Sequence, residues 1–300
     1  MTNSRKICYQ QSGERLMQHL DGLMHPDTGY PEEPSWGYAF SYLASLCGTG
    51  GGNTPFGQKA LHHLVQQDKS SPNYSWEFVV YAIQAAKKSG AAALPECLYR
   101  YREKGTRMFN WYLLRTLNKK LCDRYRATDH VKLFMASRLY QQSCGLILDE
   151  FKTRSLQYHA FCLFVLAELI EASPKSTWLE RWFLKGIDFS LKQVLNDGIS
   201  LYLGRGQEQI FGYGALIYAL EYCHTRVRPL DENKLNAISK RVFSFQRPDG
   251  SFPLVLRRRE PEAPNAKFSA EPPGGWYGYN TLFDYQPFLA YCLLKASKLS

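Results

Sequence analysis

The sequence contains no run of about 20 apolar residues, the length a helix needs to cross a bilayer, and that excludes a membrane span. Its opening stretch, MTNSRKICYQQSGERL, lacks the apolar core of a secretion signal. A chain of this kind is expected in the cytoplasm, or in the periplasm if a leader has been removed. Cys8, Cys47, Cys97, Cys122, Cys144, Cys162, Cys223 and Cys292 stand singly, with no CxxC pair and several inside apolar helical runs. They read as small buried hydrophobes in a reducing compartment. Cys223-His224 is too isolated for a zinc site, so neither a structural metal nor a cofactor is expected. Basic residues are scattered, the longest run being Arg257-Arg258-Arg259, and there is no arginine-rich arm, zinc finger or RNA-binding motif. Nucleic acid is not the expected partner. Strand-like alternation is confined to short pieces such as Ile199–Leu203 and Ser251–Leu256.

What is present is a large core and a surplus of positive charge. Of the 300 residues 45% are hydrophobic and 14% aromatic, and 37 Lys and Arg against 27 Asp and Glu leave a net charge of +10. Such a surplus suits an anionic partner: nucleic acid, an acidic lipid surface or an acidic sugar polymer. Apolar residues recur at helical spacing over roughly 35–47, 56–66, 74–88, 108–119, 130–143, 156–172, 178–195, 209–223, 232–246 and 280–297, which predicts an all-α protein.

A weak internal repeat organises these helices. Asp-Gly turns at Asp21-Gly22, Asp197-Gly198 and Asp249-Gly250 each lead through an irregular stretch to a helix that opens with aromatics: PSWGYAFSYLASL, QIFGYGALIYALEY and GWYGYNTLFDYQPFLAYCLLKA. Repeated helical hairpins predict a closed ring, an α/α toroid of five or six hairpins in one domain over 1–300. Inner helices of such a ring should be apolar almost all round, as LQYHAFCLFVLAELI is. Outer ones should be half polar, as WLERWFLKGIDFSLKQVL is. The stretches 47–54 and 257–273 read as rim loops, the second a candidate lid held extended by its prolines.

Inner helices start at one rim, so polar groups at their starts converge on a common bowl. Arg154 and Tyr158 are four apart and would share a helix face, with His159 turned about 100° away. Asn110 and Trp111 form a second cluster. A third is LGRGQEQIFGYG, with Arg205 between two glycines and Gln209 and Tyr213 after it; no strand precedes and no Lys-Ser/Thr follows, so it is not a phosphate loop. Further rim candidates for stacking on sugar rings are Trp36, Trp76, Trp276 and Tyr279.

Asn110-Trp111 followed by TRSLQYHAFCLFVLAEL resembles the alginate lyases and the wider heparinase-like polysaccharide lyases, over roughly residues 105–172. The resemblance implies an α/α toroid and β-elimination at a uronic acid in a polysaccharide or oligosaccharide. That chemistry requires donors that neutralise the sugar carboxylate and a tyrosine that removes a proton or returns one to the leaving oxygen. Carried onto this sequence, the resemblance implies that Asn110 neutralises the carboxylate, that Tyr158 is the base, the acid or both, that Arg154 supports Tyr158 or holds the carboxylate, and that His159 is an auxiliary donor. Two departures stand out: Trp111 occupies the place of a second polar neutraliser, and the family arginine falls near Phe151, so either Arg154 or Arg205 substitutes or the site binds without cleaving.

Bland readings accompany each of these. Tyr158 can cap a neighbouring helix, His159 can be a satisfied core histidine, Asn110 can be an inter-helix bond, and Arg205 can neutralise a helix end. Two further functions fit a toroid. A glycoside hydrolase needs two carboxylates about 5 to 10 Å apart, for which Glu77, Glu208, Asp249 and Asp284 are available. A carbohydrate-binding protein of an exopolysaccharide pathway needs only the bowl. RVFSFQRPDGSFPL resembles the repeat of terpene cyclases and prenyltransferases, but their acidic proton donor and zinc ligands are absent, which leaves the motif as a device that stabilises hairpins.

Overall fold

The computed structural model describes residues 2–49, 54–91, 94–99, 103, 105–174, 176–257 and 281–299. The described residues form α1 (Thr2–Leu23), α2 (Gly37–Cys47), α3 (Pro55–Gln66), α4 (Trp76–Lys88), α5 (Phe109–Leu121), α6 (Ala127–Tyr140), α7 (Leu156–Glu171), α8 (Thr177–Gln193), α9 (Ile210–Tyr222), α10 (Glu232–Phe243) and α11 (Leu282–Ser297). A 3-10 turn spans Glu96–Tyr99. No strand occurs among the described residues, and the two extended pieces expected to alternate contribute only an isolated bridge between Gln209 and Val255.

Six of these helices close a ring in the order α2, α4, α5, α7, α9 and α11, with α11 packed back on α2. The apolar character of each decides its place. Leu156 to Ile170 of α7 and every residue of α9 are buried. α8 buries only Leu179, Trp182, Phe183, Gly186, Ile187 and Ser190, a single stripe laid on α7. α3, α6, α8 and α10 cover α2, α5, α7 and α9 from outside in the same way, and α1 covers α11. The described residues form an α/α toroid of six inner helices.

α1 lies outside the helical segments expected from the sequence. Its inward residues Arg5, Tyr9, Ser12, Leu16 and Leu20 mix charge and hydroxyls with apolar side chains, so the stripe is faint. The ring supplies their partners: Arg5 Nε meets Glu221 at 2.6 Å, and Tyr9 donates to the same carboxylate at 2.9 Å. Because α1 runs to Leu23, Asp21-Gly22 is its last helical turn and not a repeat of the Asp-Gly turns.

The other two copies are structural staples. Gly250 adopts φ 89°, and a Cβ there would lie 2.4 Å from the Arg15 carbonyl oxygen on α1, so only glycine lets this turn sit on the outer helix. Gln246 bonds Ser12 and Asp249 accepts from Ser251, which completes the clamp. Asp197-Gly198 rests on α10 in the same manner. The motif RVFSFQRPDGSFPL is thus a tie between α10 and α1.

The end of the ring where the inner helices finish is plugged. Glu168 of α7 pairs with Lys295 of α11 and accepts from Tyr81 of α4 at 3.0 Å and from Tyr218 of α9, while Tyr81 and Tyr291 share a 2.8 Å bond. Burial alone would raise the Glu168 carboxyl, but Lys295 and the two phenols outweigh it and hold the carboxyl below its usual range.

Candidate active site

At the opposite end, where the inner helices begin, the ring opens into a cavity of about 390 Å³. Each inner helix delivers one aromatic from its first turn or its cap: Trp36 before α2, Phe78 of α4, Trp111 of α5, Tyr158 of α7, Phe211 of α9 and Tyr285 of α11. Trp36 stacks on Phe78 at 4.5 Å between centroids, Phe211 on Tyr285 at 4.9 Å, and Trp111 meets Phe78 edge-on at 5.4 Å. Offset and edge-on rings of this kind form a rigid apolar floor.

Asn110, Trp111, Tyr158, Arg205 and Trp36 all line this cavity. Asn110 sits in the first turn of α5, where its Oδ1 accepts from the Trp111 amide at 2.6 Å and fixes the side chain. Ser155 caps α7 by accepting from the Tyr158 amide at 3.3 Å, and its hydroxyl donates to the Arg205 carbonyl at 2.8 Å. One serine therefore sets both the start of the Tyr158 helix and the arginine loop. The Arg205 guanidinium lies 4.4 Å from the centroid of the Tyr158 ring, in cation–π geometry.

Asp149, which the sequence did not suggest, organises this group. Its carboxylate pairs with Arg205, and its carbonyl accepts from the Phe109 amide at 2.8 Å at the start of α5. A single acid thus holds the Asn110 helix and Arg205 together. Burial raises its carboxyl in spite of the arginine beside it. The aromatics Phe78, Phe211 and Tyr285 were also not singled out, although the recurrence of aromatics at helix starts was their signal.

The remaining expected residues lie elsewhere. Arg154 is exposed and does not line the cavity. It precedes the Ser155 cap, so it is outside the helix and the face expected to be shared with Tyr158 does not exist. His159 faces outward into the seam with α8, accepting from the Ile147 amide at 2.9 Å and meeting the Ser190 hydroxyl at 3.1 Å. Burial drops it to about 4, so it is a neutral structural histidine. Gln209 is sealed in a bond from Gln157 at 2.7 Å, and Tyr213 donates to Glu208 at 2.9 Å; both are fully buried away from the cavity. Trp76 is buried against Tyr74. Trp276, Tyr279 and the lid segment beyond Arg257 lie outside the described residues.

None of the four acids considered for hydrolysis lines the cavity. Glu77 is buried 3.7 Å from Arg115, Glu208 is paired with Arg241 at 3.0 Å, and Asp249 sits in the turn clamped to α1. Asp284 accepts from the Trp36 amide at 2.8 Å and the Ser35 amide at 3.1 Å, behind the aromatic floor. Among the described lining residues there is no carboxylate. No group of three metal-binding side chains occurs among the described residues.

No family model and no curated protein sequence matches the chain. Solved structures do match it in fold. A polysaccharide lyase is similar over 96% of this chain and 96% of its own, with a TM-score of 0.61 at 13% identity. A glycosyl hydrolase family 88 protein from Bacteroides vulgatus covers 95% of this chain and 98% of its own, with a TM-score of 0.58 at 11% identity. A type II terpene cyclase from Scytonema covers 99% of both, with a TM-score of 0.59 at 15% identity. At such identities the likeness is one of fold, and these proteins share the α/α toroid while differing in chemistry.

Proposed function

We propose that this chain is a toroidal lyase that takes an acidic, uronate-containing saccharide into the aromatic bowl and cleaves it by β-elimination. The observation that carries the reading is the convergence of Asn110, Tyr158 and Arg205 on one cavity whose described lining has no carboxylate. The pyranose face stacks on Trp36 and Trp111. Asn110 and Arg205 meet the sugar carboxylate, where negative charge grows as the neighbouring C–H bond breaks. Tyr158, as phenolate, takes that proton; the electron pair forms the double bond, the glycosidic C–O bond breaks, and Tyr158 returns the proton to the leaving oxygen. Arg205 beside the ring face supplies positive charge close to where the phenolate forms. The polysaccharide lyase and glycosyl hydrolase among the similar structures support a carbohydrate substrate for the fold.

A second reading, binding without cleavage, is favoured by one observation: Asp149 already neutralises Arg205. Incubation with a panel of uronate polymers, followed by the ultraviolet absorbance of the unsaturated product, separates the two. The lyase gives product, and Tyr158→Phe lowers the rate by about 10²- to 10⁴-fold. Unchanged activity in that variant removes Tyr158 from the chemistry, and saccharide binding with no product establishes the second reading.

A further inference from the structure

On the outer wall, away from the bowl, α6 exposes Val131 (57%), Phe134 (41%), Met135 (58%) and Leu139 (63%). Residues three, four and eight apart fall on one helix face, so this outer helix carries an apolar stripe toward solvent as well as the small one it lays on α5. Beside the stripe, α6 and α8 enclose a groove of about 380 Å³ lined by Phe134, Arg138, Gln141, Trp178, Arg181 and Lys185, among others. Trp178 and Trp182 stack at 6.1 Å along its wall, and Trp178 meets Phe134 edge-on.

The charge of this face is predominantly positive. Lys132, Arg138, Arg181 and Lys185 are all exposed. Of the acids on the two helices, Asp129 is bonded to Lys119 at 3.2 Å and Asp188 is paired with Arg228. Glu180 lies about 100° around α8 from Arg181, away from Lys185.

We infer that the α6–α8 face docks on an anionic lipid surface, with Val131, Met135 and Leu139 entering the headgroup boundary and the four cations contacting lipid phosphates. Exposed aliphatics flanked by cations and tryptophan are the composition of an interfacial helix. Charge complementarity selects this occupant. A second copy presenting the same face would set cation against cation, and a hydrophilic acidic polymer would bury none of the convex apolar side chains. The net charge of +10 acts in the same direction.

The test is co-sedimentation of the full chain with vesicles of phosphatidylcholine alone and of phosphatidylcholine mixed with phosphatidylglycerol. Binding is expected to the mixed vesicles only, weakening as salt rises. Arg181→Gln with Lys185→Gln is expected to weaken it about thirtyfold, and Met135→Gln with Leu139→Gln about tenfold. Independently of any variant, vesicles with brominated acyl chains should quench tryptophan fluorescence of the parent chain. Absence of sedimentation with mixed vesicles, absence of quenching, or equal binding by the variants overturns the inference. So does a dimer at sedimentation equilibrium that Leu139→Gln dissolves, which would give the face to a second copy. Loss of affinity for a soluble uronate polymer in the Arg181/Lys185 variant would give it to the polymer.

Discussion

The two ends of the ring use the same side chains for opposite purposes. At the plugged end an acid, a cation and three tyrosines from α4, α7, α9 and α11 bond to one another, with Tyr81, Tyr218 and Tyr291 almost completely buried. At the open end an acid, a cation and a tyrosine also meet, but Asp149 pairs with Arg205, Arg205 lies over the Tyr158 ring, and the phenol borders a cavity. Polarity at the plug satisfies itself and ties four helices together. The bowl turns its polarity toward a guest.

That contrast is open to direct attack. The largest effect should come from Lys295→Met, which leaves Glu168 buried without its cation; breaking such a pair costs about 3 to 5 kcal/mol, and the side chain's quarter exposure places the loss near the lower figure. Denaturant unfolding measures it, and saccharide binding in the bowl should be unaffected below the midpoint. Asn110→Asp keeps the acceptor for the Trp111 amide but sets a negative charge against the substrate carboxylate. Turnover should fall about 10²- to 10³-fold, the usual loss for one preorganised donor, with the melting temperature little changed.

An effect of similar size belongs to pH. His159 holds its proton less tightly folded, at about 4, than unfolded, near 6.5, so between these values the unfolded chain binds more protons. Its contribution is complete above pH of about 6.5 and is lost as pH falls toward about 4, a decline of about 3 kcal/mol. Urea midpoints across that window should show the decline in the parent and a flatter profile in His159→Gln. Smallest of all, Trp111→Leu should weaken saccharide binding about tenfold, a typical loss for one stacking face, with little change in stability because the side chain is only partly buried. Trp76→Leu should do the reverse, since that ring packs on Tyr74 outside the cavity.

Much of the architecture was legible along the chain, and the exceptions have a common cause. LQYHAFCLFVLAELI and QIFGYGALIYALEY announced inner helices because burial on every side leaves no polar stripe. α1 escaped because Arg5, Tyr9 and Ser12 count as polar until Glu221, Gln246 and Ser239 are brought to them. Asp21-Gly22 imitated a turn for a similar reason: helix α1 continues through it, and Lys59 of α3 bonds the Asp21 carbonyl at 2.9 Å, a partner the local sequence does not show. In the structure Asn110, Trp111, Tyr158, Arg205 and Trp36 line one cavity; the first three had been singled out through the lyase-like motif, Arg205 by its flanking glycines and Trp36 as a rim aromatic. Arg154 and His159 were placed there by helix spacing and the lyase-like motif, Gln209 and Tyr213 by their spacing after Arg205. Spacing fixes which residues share a face only once the first residue of the helix is known, and Ser155 moved that start past Arg154.

By itself the sequence determined that this chain is helical, that its helices alternate between apolar and amphipathic, and that aromatics recur where inner helices begin. Those are properties of local pattern, readable because burial demands a period. Tertiary structure alone decided that Asp149 would meet Arg205, that Glu168 would gather two tyrosines and a lysine, and that α6 would turn an apolar stripe outward. The first two are pairings between residues distant along the chain and the third is a choice of which helix face the neighbours cover; all exist only once the ring has closed.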